Sequence, residues 1–152
     1  MKFLCDQMLI KLGRWLRMAG YDTVIVDQPC QDREILEQSL SENRFLITRD
    51  RHFLSFTKEQ DRILWLNSNR TEDCIHELNQ KIEIQWTYKP FSRCSLCNAS
   101  LHDATQEEIT LAPEGVREWC KKYWYCQNCM KLYWHGSHTE KMLKQLQNWQ
   151  ST

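Results

Sequence analysis

Two cysteine pairs constrain this chain more than any other feature. Cys94 and Cys97 form one C-x-x-C and Cys126 and Cys129 another, with 28 residues between them. A two-residue gap lets the backbone curl until both sulfurs face one point. Two such turns facing each other present four thiolates to one ion. That is the donor set of a tetrahedral zinc site with no open coordination position, so the role read from it is structural. The segment around it is poor in aliphatic residues, and such a segment needs a staple to hold a fold. A redox dithiol is the competing reading of a C-x-x-C. Cys5, Cys30, Cys74 and Cys120 lie outside the pattern. Cys5 reads as core, and Cys120 stands at the wrong spacing from Cys126 to form a knuckle.

Cysteines kept for metal rather than disulfides suit a reducing compartment, so a soluble, cytoplasmic protein is expected. The N-terminal run MKFLCDQMLIKLGRWLRMAG is interrupted by Asp6, Lys11, Arg14 and Arg17. It reads as neither a signal peptide nor a membrane span. With 20 basic and 20 acidic residues the chain has no gross field to mark it as a nucleic-acid binder, although a local basic patch can sit on a neutral protein.

The first 88 residues alternate strand and helix patterns. Lys2 to Cys5, Thr23 to Val26, Arg44 to Thr48 and Arg62 to Leu66 are short and apolar, and read as buried strands. Met8, Leu12, Trp15, Leu16 and Ala19 recur at helical spacing, with Gly20 placed to end that helix. Asp32 to Glu42 and Thr71 to Lys81 read as further helices, Thr71 as a cap, and Ile82 and Ile84 as the start of a fifth strand. This alternation predicts an α/β fold, a parallel sheet covered on both faces. The pattern changes at Tyr88–Phe91. Two domains are expected: 1–88, and 89–152 carrying the zinc ribbon and a C-terminal helix.

Asp6, Asp27 and Asp50 each fall at or just past the carboxyl end of a predicted strand, and Asp32 opens the helix after the second. In an open α/β sheet that edge is where ligands bind. Carboxylates converging there repel one another unless a hard cation such as Mg²⁺ or Mn²⁺ lies between them. Asp6, Asp32 and Asp50 each precede a helix or turn, and each alone is equally readable as a cap. Arg49 and Arg51 flank Asp50 in the run ITRDR, where they offset its charge or meet a phosphate. Lys11, Arg14 and Arg17 are spaced three apart along the first helix and read as a basic stripe for a phosphate backbone, or as ordinary solvated surface.

The segments FLCDQMLIKLGRWLRMAGYDT, DREILEQSLSENRFLITRDRHFL, RCSLCN and CQNCMKLYWHGSH together closely resemble the Mut-seven C-terminal RNase domain family, a branch of the PIN-like nucleases with a zinc ribbon. The resemblance covers nearly the whole chain. It implies a PIN-like three-layer α/β/α fold with a C-terminal ribbon, and Mg²⁺- or Mn²⁺-dependent hydrolysis of RNA at Asp6, Asp32 and Asp50. Family members often carry a further acid after the fourth strand. Here Asn67 and Asn69 stand there, with Asp27 and Glu34 as candidate substitutes. His135 and His138 beside the second knuckle read as ribbon packing, or as substrate contacts.

Two other α/β readings fail on the residues. A receiver domain needs an acidic pair at the first strand, and a haloacid-type phosphatase needs D-x-D; this chain has Asp6-Gln7-Met8. The rival that remains is a non-catalytic RNA-binding adaptor using the basic helix and the ribbon, with Tyr123, Trp124, Tyr125, Tyr133 and Trp134 available to stack bases. The sequence names no protein partner.

Overall fold

The chain opens with β1 (Lys2–Cys5), α1 (Ile10–Met18), β2 (Asp22–Ile25), α2 (Asp32–Ser41), β3 (Phe45–Thr48), β4 (Ile63–Trp65) and α3 (Thr71–Lys81). These elements come from a computed structural model that describes residues 1–151. The four strands are parallel and lie in the order β2-β1-β3-β4. The chain steps from β1 to one side, then crosses back over it to β3. That reversal sends α1 and α2 to opposite faces and opens a crevice between the carboxyl ends of β1 and β3.

Alternation along the strands builds two cores. Phe3, Cys5 and Ile47 pack with Leu12 and Leu16 of α1 and with Ile75 and Leu78 of α3. Leu4 and Leu46 point the other way, onto Ile35 and Leu36 of α2 and onto Phe53. The result is the expected three-layer sandwich. The α1 helix stops at Gly20, whose φ of 101° lies in the left-handed region. There Gly20 N–H donates to Arg17 O and Tyr21 N–H to Leu16 O, both at 2.9 Å, the paired bonds of a Schellman turn. A Cβ at Gly20 would also meet Lys89 O at 2.5 Å.

The expected fifth strand is absent. Ile84 and Trp86 are buried and Glu83, Gln85 and Thr87 exposed, which is a strand's alternation without a strand partner. The Tyr21 hydroxyl accepts from Gln85 N–H at 2.9 Å and donates to Gln85 O at 3.2 Å. One side chain thus satisfies backbone groups that a ladder would otherwise serve. Thr71 likewise does not cap α3; Arg70 holds that position, without a side-chain bond.

After residue 90 come β5 (His102–Asp103), α4 (Gln106–Ile109), α5 (Glu114–Arg117), β6 (Tyr123–Cys126), β7 (Lys131–Trp134) and α6 (Ser137–Gln150). The strands form an antiparallel sheet in the order β5-β6-β7 over a small core of Tyr123, Tyr125, Leu132, Ala112 and Cys120. The α6 helix follows the ribbon and sends Leu146 and Trp149 into the α1–α3 side of the main core. Trp149 meets Trp15 and Trp86 edge-on, at 4.7 and 5.3 Å between ring centres. Asn79 ties this junction by accepting from the Trp86 indole at 2.9 Å and donating to Trp149 O at 3.2 Å. No helix among the described residues is long and apolar enough to cross a membrane.

Candidate active site

Asp6, Asp32 and Asp50 line one small cleft of about 70 Å³ at the carboxyl end of the sheet, with Gln28, Cys30 and Phe53 among its other walls. Asp6 is buried and the most firmly held. Its Oδ1 accepts from Met8 N–H at 2.9 Å. Its Oδ2 accepts from the Thr48 hydroxyl at 2.5 Å and from Arg49 N–H at 3.2 Å. Three donors on a carboxylate with roughly four lone-pair sites leave about one for anything else.

Asp50 is exposed. Its N–H donates to the Thr48 hydroxyl at 3.0 Å, and its Oδ1 accepts from His52 N–H at 2.8 Å, capping the turn Arg51–Ser55. Thr48 therefore links both strand-end acids. Asp32 sits in the first turn of α2 with Oδ2 2.6 Å from His52 Nδ1. His52 was not anticipated from sequence, yet it bridges Asp50, through its backbone, and Asp32, through its ring. The proposed substitutes do other work or lie elsewhere. Glu34 accepts from Gln31 N–H and from the Cys30 thiol, both at 3.1 Å, as the far half of a capping box. Asp27 is exposed and is not among the residues lining the cleft.

The basic residues separate into two kinds. Lys11 and Arg14 are exposed on α1. Lys11 also lines a second cleft, with Asn69, Arg70 and Thr71, that shares Gln7 and Met8 with the acidic one. Arg17 does not belong to the stripe: it is only 6 % exposed. Its Nε donates to Thr23 O at 2.8 Å, and its Nη1 to Ser95 O at 3.1 Å and Leu96 O at 2.8 Å. It pins the first cysteine knuckle to α1 and β2. Met8, expected on the buried face, is 55 % exposed, because residues 7–9 form a 3-10 turn out of phase with α1. Arg49 donates through Nη2 to Asn69 Oδ1, while Arg51 lies over the Trp65 ring at 5.6 Å. The loop after β4 is held by Glu77, whose carboxylate accepts from Asn67 N–H at 3.0 Å and from the Ser68 hydroxyl at 3.0 Å.

The four cysteines converge as expected. The sulfurs of Cys94, Cys97, Cys126 and Cys129 all lie within 4.8 Å of one another. Cys94 to Cys129 is 3.9 Å and Cys97 to Cys126 3.5 Å. Tetrahedral zinc–thiolate bonds of about 2.3 Å separate sulfurs by about 3.8 Å, so the group can hold a zinc ion. Burial resists ionisation of Cys97, but hydrogen bonds from Asn128, Ala99, Cys129 and Cys126 outweigh it and bring the thiol down to about 6. The Tyr133 hydroxyl lies 3.2 Å from Cys94 Sγ. Asn98 and Met130, each directly after the second cysteine of its knuckle, take left-handed φ values of 70° and 50°. Asn98 also clamps the ribbon to β2: it accepts from Thr23 N–H at 3.0 Å and donates to Asp22 Oδ1 at 2.7 Å. Cys120 stays outside the cluster, its thiol directed at Lys122 O and His135 O, both at 3.3 Å.

Comparison with known proteins places this arrangement. No curated protein and no solved structure matched the chain. A family model described as the Mut7-C RNAse domain matches residues 1–146 of the 152, spanning both the acidic cleft and the four-cysteine ribbon. The chain belongs to the Mut7-C RNAse domain family.

Proposed function

We propose that this protein is a metal-dependent ribonuclease that hydrolyses phosphodiester bonds in RNA. The observation that carries this reading is that Asp6, Asp32 and Asp50, from three separate segments, line one cleft at the crevice where the strand order reverses. An all-carboxylate oxygen set suits Mg²⁺ or Mn²⁺. Such an ion, when bound, polarises the scissile phosphate and lowers the pKa of a bound water. Asp6 is the fixed member, oriented by Thr48 and two backbone N–H groups. Asp50 and Asp32 complete the set from the open side. His52, with Nδ1 2.6 Å from Asp32 Oδ2, fixes the orientation of that carboxylate. Lys11 and Arg70, in the adjoining cleft, supply positive charge along the approach of a phosphate backbone. Arg49 and Arg51 do the same from the β3 side. Zinc in the ribbon is structural.

A second reading, an RNA-binding adaptor without cleavage, draws on one feature. His52 and the donors on Asp6 already occupy hydrogen-bonding positions on two of the acids. Incubating single-stranded RNA of mixed sequence with the zinc-loaded protein and added Mn²⁺ decides between them. Fragments formed by wild type and not by Asp50→Asn support the nuclease. A shifted but intact RNA band supports the adaptor.

A further inference from the structure

The ribbon carries more aromatic surface than its own core uses. On the β6–β7 hairpin, Trp124 pairs with Tyr133 across the strands, so the two side chains share one face. The ribbon core is built on the other face, from Tyr123, Tyr125 and Leu132. Trp124 and Tyr133 instead line a cavity of about 370 Å³ between the ribbon, Met18 at the end of α1, and Met142 on α6. That volume falls within the usual range for small-ligand sites, which are mostly apolar with a few convergent polar groups.

Beside the neutral Ser95 and Thr139, the ionisable side chains here are basic. Arg93, Lys131 and His138 line the same cavity, and no carboxylate is among the described residues that do. On a chain with formal net charge zero this is a local bias toward anions. Lys131 is exposed, with Nζ 5.5 Å from the Tyr133 ring centre. The Arg93 guanidinium spends one N–H on Asn98 O at 2.8 Å and carries others besides. Phe91 meets Trp124 at 5.9 Å and 42°, a tilted contact rather than a stack. Flat aromatic walls beside cations fit a planar ring bearing a phosphate.

From this we infer that the cavity between ribbon and α6 is a nucleotide subsite. It takes one unpaired base against Trp124 and Tyr133, and its phosphate against Lys131 and Arg93. The inference rests on RNA being the substrate, and it adds a place where a single strand is held away from the acidic cleft. It also divides the ribbon aromatics: Tyr123 and Tyr125 hold the fold, Trp124 meets the ligand, and Tyr133 meets it with its ring while its hydroxyl stays on Cys94.

The test uses the full zinc-loaded chain without added divalent ion, and a fluorescein-labelled single-stranded RNA decamer followed by anisotropy. Met142→Trp fills the cavity from α6, and Trp124→Leu removes the stacking plane but keeps an apolar wall. Each should weaken binding by about tenfold or more. Lys131→Ala, at an exposed position, should weaken it less and reduce the salt slope by about one. Zinc content and melting temperature are measured beside each variant. Adenosine monophosphate as competitor separates the sources: displacement assigns the site to any nucleotide, and no displacement assigns it to a base within a strand. Wild-type affinity in a Met142→Trp protein that keeps its zinc and melting temperature overturns the inference. If that variant melts early, an unchanged affinity and salt slope in Lys131→Ala overturns it instead. Binding that responds to these variants in a protein that never cuts RNA upholds the subsite and sinks the nuclease. Cutting by a protein whose binding ignores them does the reverse.

Discussion

Arg17→Met should loosen the whole molecule, and the structure sets the size of the effect. The side chain is 6 % exposed and donates to three carbonyls: Thr23 O, Ser95 O and Leu96 O. Hydrogen bonds involving a charged group each contribute about 1.5–3 kcal/mol. They do not simply add, because stranded carbonyls recover water where they can. Leu96 is exposed and Ser95 half-buried, so their oxygens resolvate in part; Thr23 is fully buried and its oxygen does not. Methionine retains most of the packing of the stem. A net loss of about 3 kcal/mol follows, dominated by the unsatisfied Thr23 carbonyl. For a chain of this length that is a fall in Tm of about 6–12 °C. Two of the three carbonyls belong to the first knuckle, so zinc should also pass faster to a chromogenic chelator. Arg17→Lys keeps the charge but lacks the planar fork that reaches both segments, and should recover only part of the loss. A Met variant with wild-type Tm and zinc release would refute the assignment of Arg17 as the clasp.

Asp50→Asn should abolish RNA cleavage while leaving the melting curve in place, since asparagine caps the turn at His52 nearly as well; retained cleavage would remove Asp50 from the site. Met130→Gly should raise stability by about 1 kcal/mol by relieving a left-handed residue that is 75 % exposed and has little packing to lose, read as a shift in the urea midpoint. Gly20→Ala should lower that midpoint, because φ at 101° and Lys89 O at 2.5 Å both exclude a methyl group. Burial pushes the Asp22 carboxyl up, but hydrogen bonds from Arg44 and Asn98 outweigh it and hold it below the ordinary carboxylate range. Its contribution is therefore complete above about pH 4 and fades as pH falls through the lower native value. Asp22→Asn should flatten the acid side of the stability profile relative to wild type.

Much of this was legible because the physics is local. The bounds of β1 and α3 follow from apolar runs and helical period, and the placing of Asp6, Asp32 and Asp50 along one cleft from the rule that parallel strands all end at one edge. Arg17 leaves the basic stripe for a geometric reason. At about 100° per residue, steps of three drift back by about 60° each, so Arg17 lies about 120° round from Lys11 and turns into the body of the protein. Met8 leaves the buried face for a related reason: helical phase does not extend through a 3-10 turn. The bridging role of His52 rests on a contact 20 residues away in sequence, which no spacing encodes. Its one sequence signal was a position two past Asp50, where an aspartate side chain commonly accepts from the backbone. Ile84 and Trp86 alternated like a strand, and only the Tyr21 hydroxyl distinguishes what they form.

The clamp between Asn98 and Thr23 also guards an edge of the sheet. The β2 strand is the outermost on its side of the sheet, so its free flank is a ready template on which another chain could add a strand. The first knuckle covers part of that flank by taking the Thr23 N–H itself. Stripping the ribbon of its metal would therefore do more than unfold a module. It would uncover a sticky border on an otherwise intact sheet, and chelator-treated protein should form assemblies whose size grows with concentration.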